Sequence, residues 1–271
     1  MTWGWRLDDD MCHLVLTDWN KKGAQAGFTT RKGGFSSGDY ESLNMALHVG
    51  DTSRTVLDNR EKVAVSFGFD PGQMVCAQQI HGKQVAVVGG GDAGRGFYDH
   101  ADSLAGCDGI VTNQPGIMLT LFFADCIPIY LFDPVRKAVG LIHSGWKGTA
   151  LRIVEVGITA LEKNFRCHPR DLQVFIGPGI GPECFAVNEE RLRQVRQAFA
   201  WSEKVIYSDA ENHYYWDLPL TNELIIRDAG VPEENITSCR ICTACNQELF
   251  FSYRGAGGRT GRMGAVLGLL D

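Results

Sequence analysis

The sequence predicts an α+β fold on two observations. Four apolar runs of strand character, GIVTN, IMLTLFF, IPIYLF and AVGLI, come in close succession between residues 109 and 142. Helical patterns are interspersed among the strand blocks instead of alternating strictly with them, which favours α+β over a parallel α/β sheet. A chain of 271 residues with 44% hydrophobic and 21% charged residues can bury a substantial core. No repeat, low-complexity tract or convincing boundary divides it, so residues 1–271 read as a single domain.

The elements follow in order. Ser53 to Phe67 reads as a helix, with Asp51 or Thr52 as its cap and Gly68 as its stop. Strand-like MVCAQQ and QVAVV come next, separated by a turn around His81-Gly82, and GGGDAGRG (89–96) reads as the most flexible stretch, a surface loop. The four apolar runs then suggest an antiparallel or mixed sheet. A helical pattern from about Thr149 to Phe165 leads to the strand LQVFIG. Asn188 is placed to cap a helix carrying EERLRQVRQAF, and Leu218 to Ala229 is a further helix closed by Gly230 and Pro232.

Composition narrows the classes of function. A net charge of −6 gives no general basic field, which argues against a nucleic-acid binder. No stretch reaches the ~18–20 apolar residues of a transmembrane helix, and MTWGWRLDDDMCHLVL has neither a basic nor a long apolar secretory region. Nine cysteines, an odd number, in a chain without an export signal suggest free thiols or ligands more than a disulfide framework. The expected location is the cytoplasm, and no membrane partner is expected.

The segment ADCIPIYLFDPVRKAVGLIHSGW carries the most chemistry. Its two apolar runs flank DPVRK, and Pro suits the second position of a type I turn. A turn centred between Pro134 and Val135 would set Cys126 directly opposite His143, and such pairs have Cβ atoms ~4.5–5.5 Å apart. Pro128 lacks an N–H, so its strand is expected to be an edge there or locally irregular. A thiolate and an imidazole so placed are either metal ligands, as for Zn²⁺, or a Cys–His nucleophile pair. A buried Cys and a capping His with no chemistry is the bland alternative. It is weakened by the Ser-Gly-Trp-Lys-Gly-Thr turn after His143, which opens a helix and could receive an anion, and by Asp125 beside Cys126. His81, at a turn between two strand-like runs, is the best-placed third ligand, although sequence alone supplies no geometry linking it to the hairpin. His13, His48, His100, His168 and His213 have weaker settings. Cys242-Thr-Ala-Cys245 lacks both a zinc-finger partner pair and a thioredoxin-like context, and reads as two free thiols. GPGIGPECFAV (177–187) lacks the P-loop Lys-Ser/Thr and suggests a rigid turn shaping a pocket wall.

Taken together, GFTTRKGGFSSGDYESLNMALHVGD, NREKV, QQIHG, ADCIPI, HSGWKGT, GPGIGPECFAV and FFSYRGAGGRTGR, in this order, resemble the YfiH-like family. That family is also labelled multicopper polyphenol oxidase (laccase-type), purine nucleoside phosphorylase or peptidoglycan editing factor. Ala186 and the pair Arg254-Gly255 depart from its usual acidic residue and arginine pair. The resemblance implies a layered α/β/β/α arrangement with mixed, largely antiparallel sheets, likened to toxin-type cysteine hydrolases. It implies a catalytic Zn²⁺ held by His81, Cys126 and His143, with copper a possible substitute. It also implies phosphorolysis of adenosine, inosine and methylthioadenosine, together with adenosine deamination. Arg31, Asn44, Arg60 and Arg254 are the positions assigned to ribose, base and phosphate.

The labels can be weighed chemically. Phosphorolysis needs a bound anionic nucleophile and stabilisation of the departing base; deamination needs an activated water and a proton shuttle, for which Asp125 is a candidate. The H-x-E and P-C-x-x-C signature of zinc nucleobase deaminases is absent. A laccase's trinuclear copper centre takes more histidines than the seven present, and no H-x-H occurs. A different class is amide hydrolysis of a peptidoglycan precursor, with Cys126 as nucleophile and His143 as base. The ranking is phosphorylase first, Cys–His amidase second and copper oxidase last.

Overall fold

The computed structural model describes residues 2–270. The chain opens with the hairpin β1 (Gly4–Asp8) and β2 (Met11–Val15), then a single helical turn, α1 (Thr17–Asn20), and β3 (Ala24–Thr29). Helix α2 (Ser53–Ser66) precedes β4 (Met74–Cys76), β5 (Val85–Val87), β6 (Gly109–Thr112), β7 (Met118–Phe123), β8 (Ile127–Asp133) and β9 (Ala138–Ser144). After α3 (Trp146–Ala150) and α4 (Ile153–Phe165) come β10 (Gln173–Ile176), β11 (Ala186–Val187), α5 (Glu189–Ala198), β12 (Ile206–Ser208) and β13 (Tyr214–Trp216). Helix α6 (Leu218–Asp228), β14 (Ile236–Ser238) and β15 (Met263–Leu269) complete the order.

Two six-stranded sheets dominate, in orders β1-β2-β3-β15-β7-β4 and β14-β10-β8-β9-β6-β5, with a small third sheet of β11-β13-β12. Pairing is antiparallel except for β4 with β7, β10 with β14 and β5 with β6, so both large sheets are mixed. Their facing sides share one core, in which Phe28, Leu121, Phe123 and Ala265 meet Tyr130, Phe132, Leu141 and Phe175. The outer side of the first sheet is covered by α2 through Val63 and Ala64, and by Phe67 just after it. The outer side of the second is covered by α4 and α6 through Ile153, Ile158, Leu161, Ile225 and Ile226. The architecture is the expected layered α/β/β/α arrangement, in which each sheet buries both faces and its strands read as near-continuous apolar runs.

Several local expectations need correcting. Asp133 pairs with Ala138 and Pro128 with His143, so the β8–β9 register lies two residues from the expected one. The cause is a longer loop: Asp133 Oδ1 accepts from the amides of Val135 and Arg136 at 2.8 and 2.9 Å, and Lys137 is left-handed (φ 51°), giving a four-residue connection. A shift of two keeps every side chain on its face. Pro128 is not on an edge, since β8 lies between β10 and β9. Its carbonyl accepts from Gly177 N at 2.9 Å, one residue past the end of β10, so the missing N–H falls at the last rung of that ladder. The helix expected from about Thr149 divides at Arg152 (φ 57°), which turns α3 toward α5 and α6 while α4 runs along β9. The 89–96 stretch is tied down: Cys76 N donates to Arg95 O at 2.9 Å, and Arg60 Nη1 donates to the carbonyls of Gly96 and Phe97.

Candidate active site

The parity of the hairpin decides where the thiol and imidazole point. On β8, Tyr130 and Phe132 face the inter-sheet core while Ile129 and Leu131 face the helices; on β9, Leu141 faces the core and Ile142 the helices. Cys126 and His143 share the core-facing parity, and both enter the mouth between the sheets where the ladder runs out. Cys126 lies diagonally across from His143, still within reach.

His81 arrives from the β4–β5 connection in the left-handed region (φ 59°). The amides of Ile80, His81 and Gly82 all donate to the buried Asp108 carboxylate, at 3.2, 2.9 and 2.7 Å. The same carboxylate accepts from His143 Nδ1 at 2.9 Å, and Asp108 O accepts from His143 N at 2.7 Å. One buried carboxylate thus ties the His81 turn to β9 and leaves His143 Nε2 turned toward the thiol, the carboxylate–histidine arrangement that orients metal ligands.

The donor atoms of His81, Cys126 and His143 lie within 4.8 Å of one another, with Cys126 Sγ 3.7 Å from His81 Nε2. Tetrahedral zinc with N and S ligands sets its donors about 3.3–3.8 Å apart, so small side-chain rotations suffice for this set to hold the ion. Burial pushes the Cys126 thiol up, but the His143 charge and hydrogen bonds from His143 and His81 outweigh it and bring it down to about 6. Burial lowers His143, while the Cys126 charge and the hydrogen bond to Asp108 raise it to about 9. Near neutral pH the two form a thiolate and an imidazolium, and the thiolate is the form that ligates or attacks. A divalent cation among the three atoms would replace the proton held between sulfur and imidazole.

Gly145 closes one side of the cluster. A Cβ there would stand 2.9 Å from His81 Cδ2 and 3.0 Å from Cys126 Sγ, so only glycine admits the three donors in this arrangement. The glycine-rich turn after His143 is therefore needed for close approach, and the helix it opens, α3, is five residues long.

The donors line a cavity of about 590 Å³, within the usual 300–1,000 Å³ of small-molecule sites. Its other walls include His48, Gln79, Phe122, Trp146, Phe185, Arg191, Tyr253, Arg254 and Arg262. Among the described residues, the three arginines are held by carbonyls and rings instead of carboxylates. Arg254 Nη1 donates to Cys184 O at 3.1 Å, Arg262 Nη1 to Thr260 O at 2.7 Å, and the Arg191 guanidinium lies 4.4 Å from the Trp146 ring centre. Burial, and then the neighbouring Arg254 charge, pulls Arg191 below its usual range. A larger cavity of about 690 Å³ lies on the other side of the 177–183 turn and contains none of the three donors, so the GPGIGPEC segment is a wall between two cavities.

Of the polar residues singled out from sequence, Arg254 reaches the cavity and three do not. Arg31 donates to Glu41 O and Gln247 O, at 2.7 and 3.0 Å, in a separate cleft. Asn44 is fully buried, accepting from Arg262 N at 2.9 Å and donating to Asp51 Oδ2 at 3.0 Å. Arg60 is buried against Phe122 and bonded to Met45 O and the 96–97 carbonyls. His48, given a weaker setting from sequence, lines the cavity, while Asp108, Gln79, Trp146, Arg191, Tyr253 and Arg262 carry no role in the sequence reading. Arg262 and Tyr253 were within reach, because they belong to the FFSYRGAGGRTGR segment. Asp108 gave no local signal, since its partners come from residues 80–82 and 143.

A layered two-sheet α+β scaffold with two imidazoles and a thiol at its inter-sheet mouth carries a candidate His₂Cys metal centre beside a cationic, aromatic cavity. The chain belongs to the family described as "Multi-copper polyphenol oxidoreductase laccase", whose model matches residues 25–270. It is 39% identical over 247 residues to a Geobacillus stearothermophilus protein named "Purine nucleoside phosphorylase YlmD", covering 91% of this chain and 90% of that one. A Bacillus subtilis protein of the same name is 36% identical over 263 residues, 95% of each chain. Among solved structures, the Bacillus licheniformis hypothetical protein YfiH superposes with a TM-score of 0.93 at 37% identity, covering 98% of both chains.

Proposed function

We propose that the chain is a zinc-dependent purine nucleoside phosphorylase, acting in the cytoplasm on adenosine, inosine and methylthioadenosine, with adenosine deamination as a side activity. The observation that carries this reading is the cavity, which joins the His81, Cys126 and His143 donors to Arg191, Arg254 and Arg262 and to the rings of Trp146, Phe185 and Tyr253. The names of the relatives support it. Phosphorolysis breaks the C1′–N9 bond, forms a C1′–O bond to phosphate and releases the base carrying a proton at N9. Guanidinium groups without carboxylate partners among the described residues suit a phosphate dianion, and aromatic walls suit a purine face. His81, Cys126 and His143 would hold Zn²⁺, with copper able to take its place. When bound, the ion supplies Lewis acidity at the reacting end of the cavity.

The oxidase reading lacks ligands. Among the described residues, two groups of three ligating side chains occur, and only one of them contains histidine. The amidase reading keeps one specific support, the thiolate character of Cys126 beside His143. It predicts activity that survives chelation and is lost on thiol alkylation, whereas the phosphorylase reading predicts loss on chelation. The deciding experiment pairs elemental analysis with phosphate-dependent release of base from inosine and adenosine. Zinc-loaded protein that releases no base from either nucleoside would sink the proposal.

A further inference from the structure

Cys242 and Cys245 have a third sulfur beside them. Cys184, at the end of the short 182–184 turn, brings its Sγ to 3.3 Å from that of Cys245, and the three sulfurs lie within 4.8 Å of one another. We propose that Cys184, Cys242 and Cys245 form a second metal site, a three-thiolate site for Zn²⁺ that is separate from the His81–Cys126–His143 centre.

The geometry favours an ion over a covalent bridge. Tetrahedral zinc spaces its thiolates about 3.8 Å apart, whereas a disulfide needs sulfurs about 2.05 Å apart, and all three thiols are free. Three thiolates this close repel one another strongly, and a divalent cation among them removes that cost. One backbone amide meets the cluster. Gly181 N donates to Cys242 Sγ at 3.1 Å, and a Cβ at Gly181 would come within 3.0 Å of Cys242 Cβ. The loop carrying Cys242 and Cys245 is held in place by Thr243 N to Gly179 O at 3.0 Å and by Asn246 Nδ2 to Cys242 O at 2.7 Å. Cys242 faces the larger cavity and Cys245 is exposed, so the fourth position is open to water or a small ligand.

The site would clamp two segments that build the neighbouring active-site wall. Cys184 precedes Phe185 and accepts from Arg254 through its carbonyl, and Thr243, between the two other cysteines, donates to Asp125 Oδ1 at 2.7 Å.

The test counts zinc by elemental analysis in full-length protein purified under reducing conditions and saturated with Zn²⁺. The wild type should bind two equivalents. Cys245→Ser and Cys184→Ser should each bind one, Cys126→Ser should also bind one, and Cys126→Ser combined with Cys245→Ser close to none. Cys245 is exposed, so its variant decides the matter even if Cys184→Ser fails to fold. One equivalent in both the wild type and Cys245→Ser overturns the site. So does an intact mass two hydrogens short, with Cys184 and Cys245 joined in one peptide. The equivalent lost on Cys245→Ser is read apart from base release and from the equivalent lost on Cys126→Ser, so failure of the phosphorylase reading leaves the second site standing and an unchanged count in Cys245→Ser leaves that reading untouched.

Discussion

Asp108→Asn should loosen the proposed His81–Cys126–His143 metal site without removing a ligand. The buried carboxylate receives four donors: the amides of Ile80 and Gly82 on Oδ2, and His81 N and His143 Nδ1 on Oδ1. An asparagine keeps one acceptor oxygen. If it serves His81 and His143, its NH₂ group points at the amides of Ile80 and Gly82, and if it is flipped the clash falls on the ligands themselves. Two hydrogen bonds to a charged group are lost either way, each worth about 1.5–3 kcal/mol. Only the part that lets the imidazoles turn reaches the metal. Changes of this kind lower metal affinity about 10–100-fold, or about 1.4–2.7 kcal/mol. The assay is a zinc competition titration against a chromophoric chelator, run beside thermal denaturation, with His143→Ala marking the loss of a ligand. A folded Asp108→Asn protein whose zinc affinity stays within about twofold of wild type would refute the reasoning, because the imidazoles would then be oriented by something else.

Other outcomes follow from the same contacts. Gly145→Ala should lower zinc content and base release while leaving most of the fold intact, since its Cβ meets His81 and Cys126; equal zinc content would show that the ligands can yield. Arg254→Ala should reduce base release through weaker phosphate binding, read as a raised KM for phosphate with little change in Tm. Arg60→Ala should instead act on stability, because three buried carbonyls lose their donor; a loss of about 3–5 kcal/mol in chemical denaturation is expected, and a loss below 1 kcal/mol would contradict it. Burial holds His13 down to about 4, with Arg6 adding to the effect and Asp8 opposing it. Between pH 6.5 and 4 the unfolded chain therefore binds a proton that the folded chain refuses, and stability falls as pH falls. At about 1.4 kcal/mol per pH unit the loss reaches roughly 3 kcal/mol by pH 4. His13→Phe should flatten that limb of the stability profile, and an unchanged slope would assign it to other groups.

What could be read from sequence was local. The runs from 109 to 144 form strands close to where their apolar patterns place them, because strands buried on both faces must be apolar throughout. Asn188 caps α5 through Arg191 N at 3.0 Å, as its residue type and position require. The hairpin register was missed by two residues because it depends on an Asx turn and a left-handed Lys137, which a Pro-based turn rule does not see. Strand β15 was missed because two glycines break the apolar pattern of MGAVLGL, and its partners β3 and β7 lie far away in the chain. Arg60 shows the same limit at a single residue. An arginine on a helix suggests a solvated or ligand-binding charge, and only packing reveals it as a buried clamp on three carbonyls.

Asp125 shows how the site is built. It was a candidate proton shuttle by its position next to Cys126, and the structure puts it on the cavity wall. In the structure its Oδ1 accepts from Thr243 Oγ1 and its Oδ2 from Arg254 N, each at 2.7 Å, and its carbonyl accepts from Ile180 N at 2.8 Å. Both carboxylate oxygens are thus engaged by donors from two different loops, and the carbonyl by a third. Asp125 is therefore a positioning residue that joins the end of the hairpin to the GPGIGPEC wall, the Cys242–Cys245 loop and the Arg254 segment. Its left-handed backbone (φ 85°) is sustained by those same contacts. Asp108 does for the two histidines what Asp125 does for the surrounding loops. Two buried acids hold the geometry, which leaves His81, Cys126, His143 and the arginines free to meet a ligand.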